Sequence, residues 1–147
     1  FRARLSELIR RELQVTYEGV QAQRGADYLA SLPAPACLDL ARARPLAGQV
    51  LFSLDPALLA LLVDAFYGGP ARAGPREAER GLTPTEARFA RLVVTQATTE
   101  LAAAFAPVAA LEFELVKQER NAHFVDLGTP AEMLPPNRFR VALGAAE

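Results

Sequence analysis

The chain is poor in the residues that reactive chemistry most often uses. Its 147 residues include one cysteine (Cys37), one histidine (His123), one lysine (Lys117), one methionine and no tryptophan. A lone cysteine excludes an internal disulfide and gives no sign of an oxidising compartment. One cysteine and one histidine are also too few for structural zinc, which takes four nitrogen or sulfur ligands. A Cys–His nucleophilic pair would need the only copy of each to meet in space, and nothing in their spacing supports that. No apolar run approaches the roughly 20 residues that span a bilayer, and no secretory leader is visible. An excess of one charge is lacking too. With 16 basic and 17 acidic residues the net charge is −1, so no general positive field draws nucleic acid or anionic lipid. No cofactor and no metal are expected.

What is present is globular. Hydrophobic residues make up 51% of the chain and charged residues 22%, enough to bury a core in one domain covering residues 1–147. The basic residues are nearly all arginine, beside much Ala, Leu, Pro and Gly, which reads as coding bias more than arginine chosen for a task. The chain opens on Phe1, which suggests a piece of a longer protein.

Periodicity places the elements. "RARLSELIRREL" carries Leu5, Leu8, Ile9 and Leu13 at helical spacing and predicts an amphipathic helix over 2–13. "QVTYEGVQAQ" alternates as a half-buried strand with an irregularity at Gly19. "GADYLASLPAP" predicts a helical turn halted by Pro33 and Pro35. "CLDLARA" and "GQVLFSL" predict two strands of a hairpin turning at residues 44–48. Asp55-Pro56 is a helix start, an N-cap followed by proline at the first helical position. The helix it opens is apolar nearly all round and therefore buried, with Gly68 as its C-terminal glycine. Residues 69–82 form the only linker-like segment. Thr83-Pro84-Thr85-Glu86 is a capping box opening the longest helix, to about Phe105, before Pro107. "LEFELVKQE", "HFVDLG" and "RFRVALG" predict three closing strands, the last two around a turn at Pro135-Pro136.

Shifting the chain by 96 sets residues 15–29 against 111–125. Glu18, Val20, Arg24 and Ala26 then meet Glu114, Val116, Arg120 and Ala122, and Tyr17 and Tyr28 meet Phe113 and Phe124. Each copy follows a helix. The implied fold class is α/β, a pseudo-two-fold domain of two helix–strand units sharing one sheet flanked by helices.

Catalytic motifs fail one by one. Gly69 and Gly74 give half of a nucleotide-binding loop, but Pro75-Arg76 stand where a phosphate cradle needs Lys-Ser/Thr, and a helix precedes it instead of a strand. Cys37 reads as a small core residue, His123 as a strand-end residue beside Asn121, and Glu112 and Glu114 as a solvated strand face. Arg2, Arg4, Arg10 and Arg11 are interrupted by Glu7 and Glu12, as on an ordinary wet helix face.

The ordered set "SLP", "PLAGQVLFSLDP", "VDAFYGG", "LTPTE" and "APVAALEFE" resembles the middle domain of the flagellar motor switch protein FliM, over nearly the whole chain. The resemblance implies a fold related to the chemotaxis phosphatases CheC and CheX. It also implies a cytoplasmic, non-enzymatic part of the switch ring at the flagellar basal body. Its implied partners are the middle domain of the rotor protein FliG and neighbouring copies of itself. FliN and phosphorylated CheY would bind through segments outside this chain. A Gly-Gly-x-Gly loop contributes to the FliG contact in that family. Gly68 and Gly69 match it, whereas Pro70 and Ala71 fill the third and fourth positions. The contact loop so assigned is Phe66, Tyr67, Gly68, Gly69, Pro70 and Ala71, its two aromatics serving as anchors.

Two other readings compete with it. A CheC-type phosphatase resembles its relatives in a helix carrying Glu-x-x-Asn. The two asparagines here, Asn121 and Asn137, lie on no predicted helix and follow no glutamate by three positions. A general protein-interaction adaptor leaves the ordered landmarks without explanation.

Overall fold

The computed structural model describes residues 1–71, 81–129 and 131–144. Along the chain run α1 (Arg2–Ile9), β1 (Leu13–Val20), β2 (Gln23–Arg24), α2 (Gly25–Ser31), β3 (Cys37–Arg44), β4 (Gln49–Leu54), α3 (Pro56–Phe66), α4 (Pro84–Phe105) and β5 (Glu112–Glu119). A 3-10 turn (Ala122–Phe124), β6 (Met133–Leu134) and β7 (Asn137–Leu143) follow. The mixed α/β class is the one expected, and the strand pairs found are antiparallel.

Cooperating local signals make the helix starts firm. Asp55 Oδ1 accepts the N–H groups of Ala57 and Leu58 at 2.7 and 3.0 Å, satisfying donors that the first turn leaves without helical partners. Thr83 and Glu86 form the reciprocal box: Glu86 N–H donates to Thr83 Oγ1 (3.2 Å), and Thr83 N–H to Glu86 Oε2 (2.7 Å).

β3 is the central strand, antiparallel to β4 on one side and β5 on the other. Its successive side chains point to opposite faces, and both faces are covered. Cys37 joins a core with Leu5, Ile9, Leu13, Leu59, Leu62, Phe89 and Val93, contributed mainly by α1, α3 and α4. Leu38 and Leu40 join a second core with Val125, against Leu29 and Leu32 of the α2 region. Cys37 is thus the small core residue expected of it, fully buried.

Four expectations change. The helix expected over 2–13 stops at Ile9, because Arg10 takes a left-handed conformation (φ 54°, ψ 36°). Leu13 is buried as expected, but as the first residue of β1, paired with Leu143. "HFVDLG" is not a strand: Asn121 Oδ1 accepts the His123 N–H at 2.9 Å, and this local bond winds the backbone into a 3-10 turn. The shared sheet is divided among the described residues into three ladders, β1–β7, β2–β6 and β4–β3–β5. Both long strands shift register, β1 between Tyr17 and Gly19 and β5 opposite Leu40/Ala41, and such bulges bend a strand out of a flat common plane. Of the linker expected over 69–82, residues 72–80 lie outside the described residues, and with them Gly74, Pro75 and Arg76. The two helix–strand units, α1–β1 and α4–β5, occur where the repeat places them.

Candidate functional site

The six contact-loop residues sit where α3 ends. The helix buries Leu59, Leu62 and Ala65 at three-residue spacing, so this face holds it against α1 and α4. Beyond Ala65 the chain leaves the core. Phe66 is 41% exposed and Tyr67 70%. Phe66 rests against Phe89 of α4 with ring centroids 5.2 Å apart, and Tyr67 stands edge-on to Phe66 at the same distance. The two rings form a short exposed stack anchored on the core by one end.

Gly68 ends the helix, as its position suggested. It adopts φ 81°, its N–H donates to Ala65 C=O (3.0 Å), and the Gly69 N–H donates to Asp64 C=O (2.8 Å). This is the paired closure of a Schellman motif, with glycine at the left-handed position. Gly69 is fixed for another reason. A Cβ there would collide with the carboxylate of Asp64, so the site demands a missing side chain and not an unusual φ. Asp64 continues to organise the loop: its Oδ2 accepts the Ala71 N–H at 2.6 Å. Ala71 takes φ 51°, a left-handed conformation that glycine adopts more easily. The fourth position of the Gly-Gly-x-Gly pattern therefore has the backbone of a glycine site and an alanine in it. Pro70 is exposed between them.

Sequence reasoning missed three residues of this site, Arg10, Arg11 and Asp64. Arg11 Nη2 donates to Gly69 C=O at 2.6 Å, across 58 positions of sequence. Arg10, beside it, lines a cleft with Ile9, Arg11, Ala65, Phe66, Tyr67 and Gly68. The end of α1 thus lies against the end of α3. A helical reading carried through to Leu13 hides this, because it puts Arg10 and Arg11 on the solvent side of a continuing helix. Asp64 had a signal: an acidic residue four positions before a glycine pair, inside an otherwise apolar helix.

The remaining candidates stay apart from this loop. His123 lies in the 3-10 turn and is exposed. Glu112 and Glu114 are exposed on the outer face of β5, and Glu114 pairs with Arg44 at 2.8 Å. Arg4 pairs with Glu100 at 3.0 Å. Asn121 caps the 3-10 turn and Asn137 opens β7, so neither stands on a helix. Among the described residues no three His, Cys, Asp or Glu side chains are grouped to hold a metal ion. Among them, too, no helix is long and apolar enough to cross a membrane.

Comparison with known proteins gives a consistent result. The family model "Flagellar motor switch protein FliM" matches residues 1–147. The chain is 37% identical over 142 residues to the FliM of Pseudomonas aeruginosa, covering 97% of this chain and 44% of that protein. It spans under half the length of that relative. Among solved structures it is similar to the FliM middle domain of Vibrio alginolyticus, with TM-score 0.85 and 28% identity over 97% of this chain and 78% of that one. It also shares the fold of a chain in the FliG–FliM complex from H. pylori, with TM-score 0.89 and 18% identity, covering 97% of this chain and 78% of that one.

Proposed function

The chain belongs to the family of the flagellar motor switch protein FliM, and from that premise we propose that it works as a non-enzymatic, signal-transmitting piece of the bacterial flagellar motor switch. It binds the rotor protein FliG through residues 66–71, packs beside neighbouring copies of itself in the switch ring, and takes part in setting the direction of rotation during chemotaxis. Its place is the cytoplasmic face of the basal body. FliN and phosphorylated CheY engage parts of such a protein outside these residues.

One observation carries the FliG assignment. The chain shares its fold with a FliM captured in complex with FliG, and its loop at 66–71 presents two exposed aromatics beside two glycines on a rigid helix end. Exposed rings on a fixed frame are the kind of anchor that dominates protein contacts, and the bare backbone at Gly68, where a Cβ would meet nothing within 4 Å, lets a partner chain approach closely. The non-enzymatic reading is supported by where the asparagines fall. A water-orienting amide would need a helix with an acid three positions before it, and Asn121 and Asn137 are spent on a turn and a strand start.

The test is calorimetric titration of this chain with the FliG middle domain of the same organism, for the native sequence and Gly69→Asp. The substitution drives a side chain into the Asp64 carboxylate and reshapes the loop. Saturable binding that disappears in the variant, with the circular dichroism unchanged, is the expected result. Binding that survives the substitution takes the FliG contact off the turn at Gly69.

A further inference from the structure

We propose that the cleft between the ends of α1 and α3 seats an acidic segment of the protein partner. A carboxylate lies against the guanidinium groups of Arg10 and Arg11, and an apolar neighbour packs on Phe66 and Tyr67. The inference deepens the assignment of residues 66–71 as a partner contact and rests on it.

The chemistry of the cleft selects the occupant. Among the described residues its lining holds two arginines, two exposed aromatics, Ile9, Ala65 and Gly68, and no carboxylate. Glu7 and Glu12 line a neighbouring groove that shares Arg10 and Arg11 with this cleft, and among the described residues neither glutamate pairs with them. Both helices point their C-termini at this place, and each terminus carries roughly half a negative charge. Two guanidinium groups outweigh that and leave the cleft positive. Arg11 has one donor committed to Gly69 C=O (2.6 Å), which holds its plane in position while other N–H groups stay free. Arg10 makes no side-chain hydrogen bond or ion pair among the described residues. A fixed guanidinium beside a free one suits a planar carboxylate better than a point cation would. The rings beside them are exposed, and a docked segment that covers them excludes water and strengthens such a pair.

The geometry also supplies a clean variant. Arg10 is left-handed, with φ 54°, so Arg10→Gly removes the guanidinium while favouring the backbone already present. Arg11 is unsuitable alone, since its loss also releases Gly69.

Calorimetric titration of this chain with the FliG middle domain, at low and at high salt, tests the inference on the native chain, Arg10→Gly, Arg10→Glu and Gly69→Asp. Arg10→Gly is expected to fold at least as well as the native chain and to bind about tenfold more weakly, as expected for a lost charge-assisted hydrogen bond. Arg10→Glu is expected to bind more weakly still, and salt is expected to weaken the native complex more than that of Arg10→Gly. If Arg10→Gly and Arg10→Glu bind within twofold of the native chain, with the same salt dependence, the acidic seat is overturned. Gly69→Asp abolishing binding in that same experiment leaves the loop assignment standing. If the Arg10 variants weaken binding and Gly69→Asp does not, the seat stands, and the contact runs through the arginines and the rings without the turn at Gly69. A native chain that does not bind at all overturns both.

Discussion

Helices α1 and α3 finish in the same way with different residues. Each closes with the paired hydrogen bonds of a Schellman motif. In α1, Arg10 N–H reaches Glu7 C=O (3.3 Å) and Arg11 N–H reaches Ser6 C=O (3.2 Å); in α3, Gly68 and Gly69 reach Ala65 and Asp64. The left-handed residue is an arginine in one and a glycine in the other. A glycine there costs little, whereas a residue with a Cβ carries about 1–2 kcal/mol of strain. That α1 holds the strained version beside the loop of α3 indicates that the arginine is kept for its side chain and not for the turn. The two ends are then joined by the Arg11–Gly69 hydrogen bond. Local backbone demand and long-range polar contact thus meet at one place.

The sharpest way to break the comparison is to exchange the two demands. Gly68→Ala should lower stability by about 1–2 kcal/mol, since its φ of 81° then carries a Cβ. Arg10→Gly should move the other way, by up to about 1 kcal/mol. Urea midpoints at constant slope measure both. Equal signs for the two substitutions would show that the helix ends are not equivalent after all.

The link between the ends comes next in size. Arg11→Ala removes the donor to Gly69 C=O, and a loss of about 1–1.5 kcal/mol is expected for a charge-assisted bond that is only partly buried. The more telling readout is local: amide exchange at residues 68–71 should quicken more than exchange in β3. Uniform quickening would make Arg11 a general stabiliser and not a support of the loop. A smaller effect of opposite sign is expected at Ala71, whose φ of 51° suits glycine. Ala71→Gly should relieve the strain there, offset in part by about 0.5–1 kcal/mol of added chain entropy. Amide exchange at Ala71 itself, still held by Asp64, should change little.

These helix ends also show what a reader of the sequence can and cannot see. Gly68, Asp55-Pro56 and the Thr83–Glu86 box were legible because each signal is local: a residue type and its required backbone lie within four positions. Cys37 on a core strand and the hairpin at 44–48 were legible for the same reason, through alternation. Arg10 was not, because arginine is a good helix former and nothing local announces a left-handed turn. The false strand at "HFVDLG" and the undivided sheet share a cause. Alternation marks a strand's exposed and buried faces, but not a side chain such as that of Asn121 capturing the backbone, nor a bulge that turns the strand aside. The loop residues 66–71 were placed by resemblance. Their partner Asp64 lies within seven positions and left a local signal, whereas Arg11 comes from tertiary packing, which joins positions 58 apart.

A last contrast sets the link at the helix ends against one that runs through a fully buried side chain. Gln118 Nε2 on β5 donates to Asp39 Oδ2 on β3 and to Ala87 C=O on α4, each at 3.1 Å, and so ties the long helix to the central strand. Asp39 is fully buried, and its Oδ1 has no hydrogen-bond partner among the described residues. Burial raises the pKa of its carboxyl, an effect that the Gln118 hydrogen bond and the Arg91 charge only partly counter. The sign follows. The folded protein holds this proton more tightly than the unfolded chain does, so the residue costs nothing below the unfolded value of about 3.9. The penalty grows as pH rises from there to the raised folded value, and stays constant above it. Asp39→Asn keeps an acceptor for Gln118 at nearly the same volume and cannot ionise. It should therefore change the fold least of these substitutions, raise stability at neutral pH, and flatten the fall of stability with pH just above 3.9. Midpoints measured across a pH series decide it. A variant with the native slope would mean that Asp39 does not set this dependence, and that its link is no more sensitive to pH than the one at the helix ends.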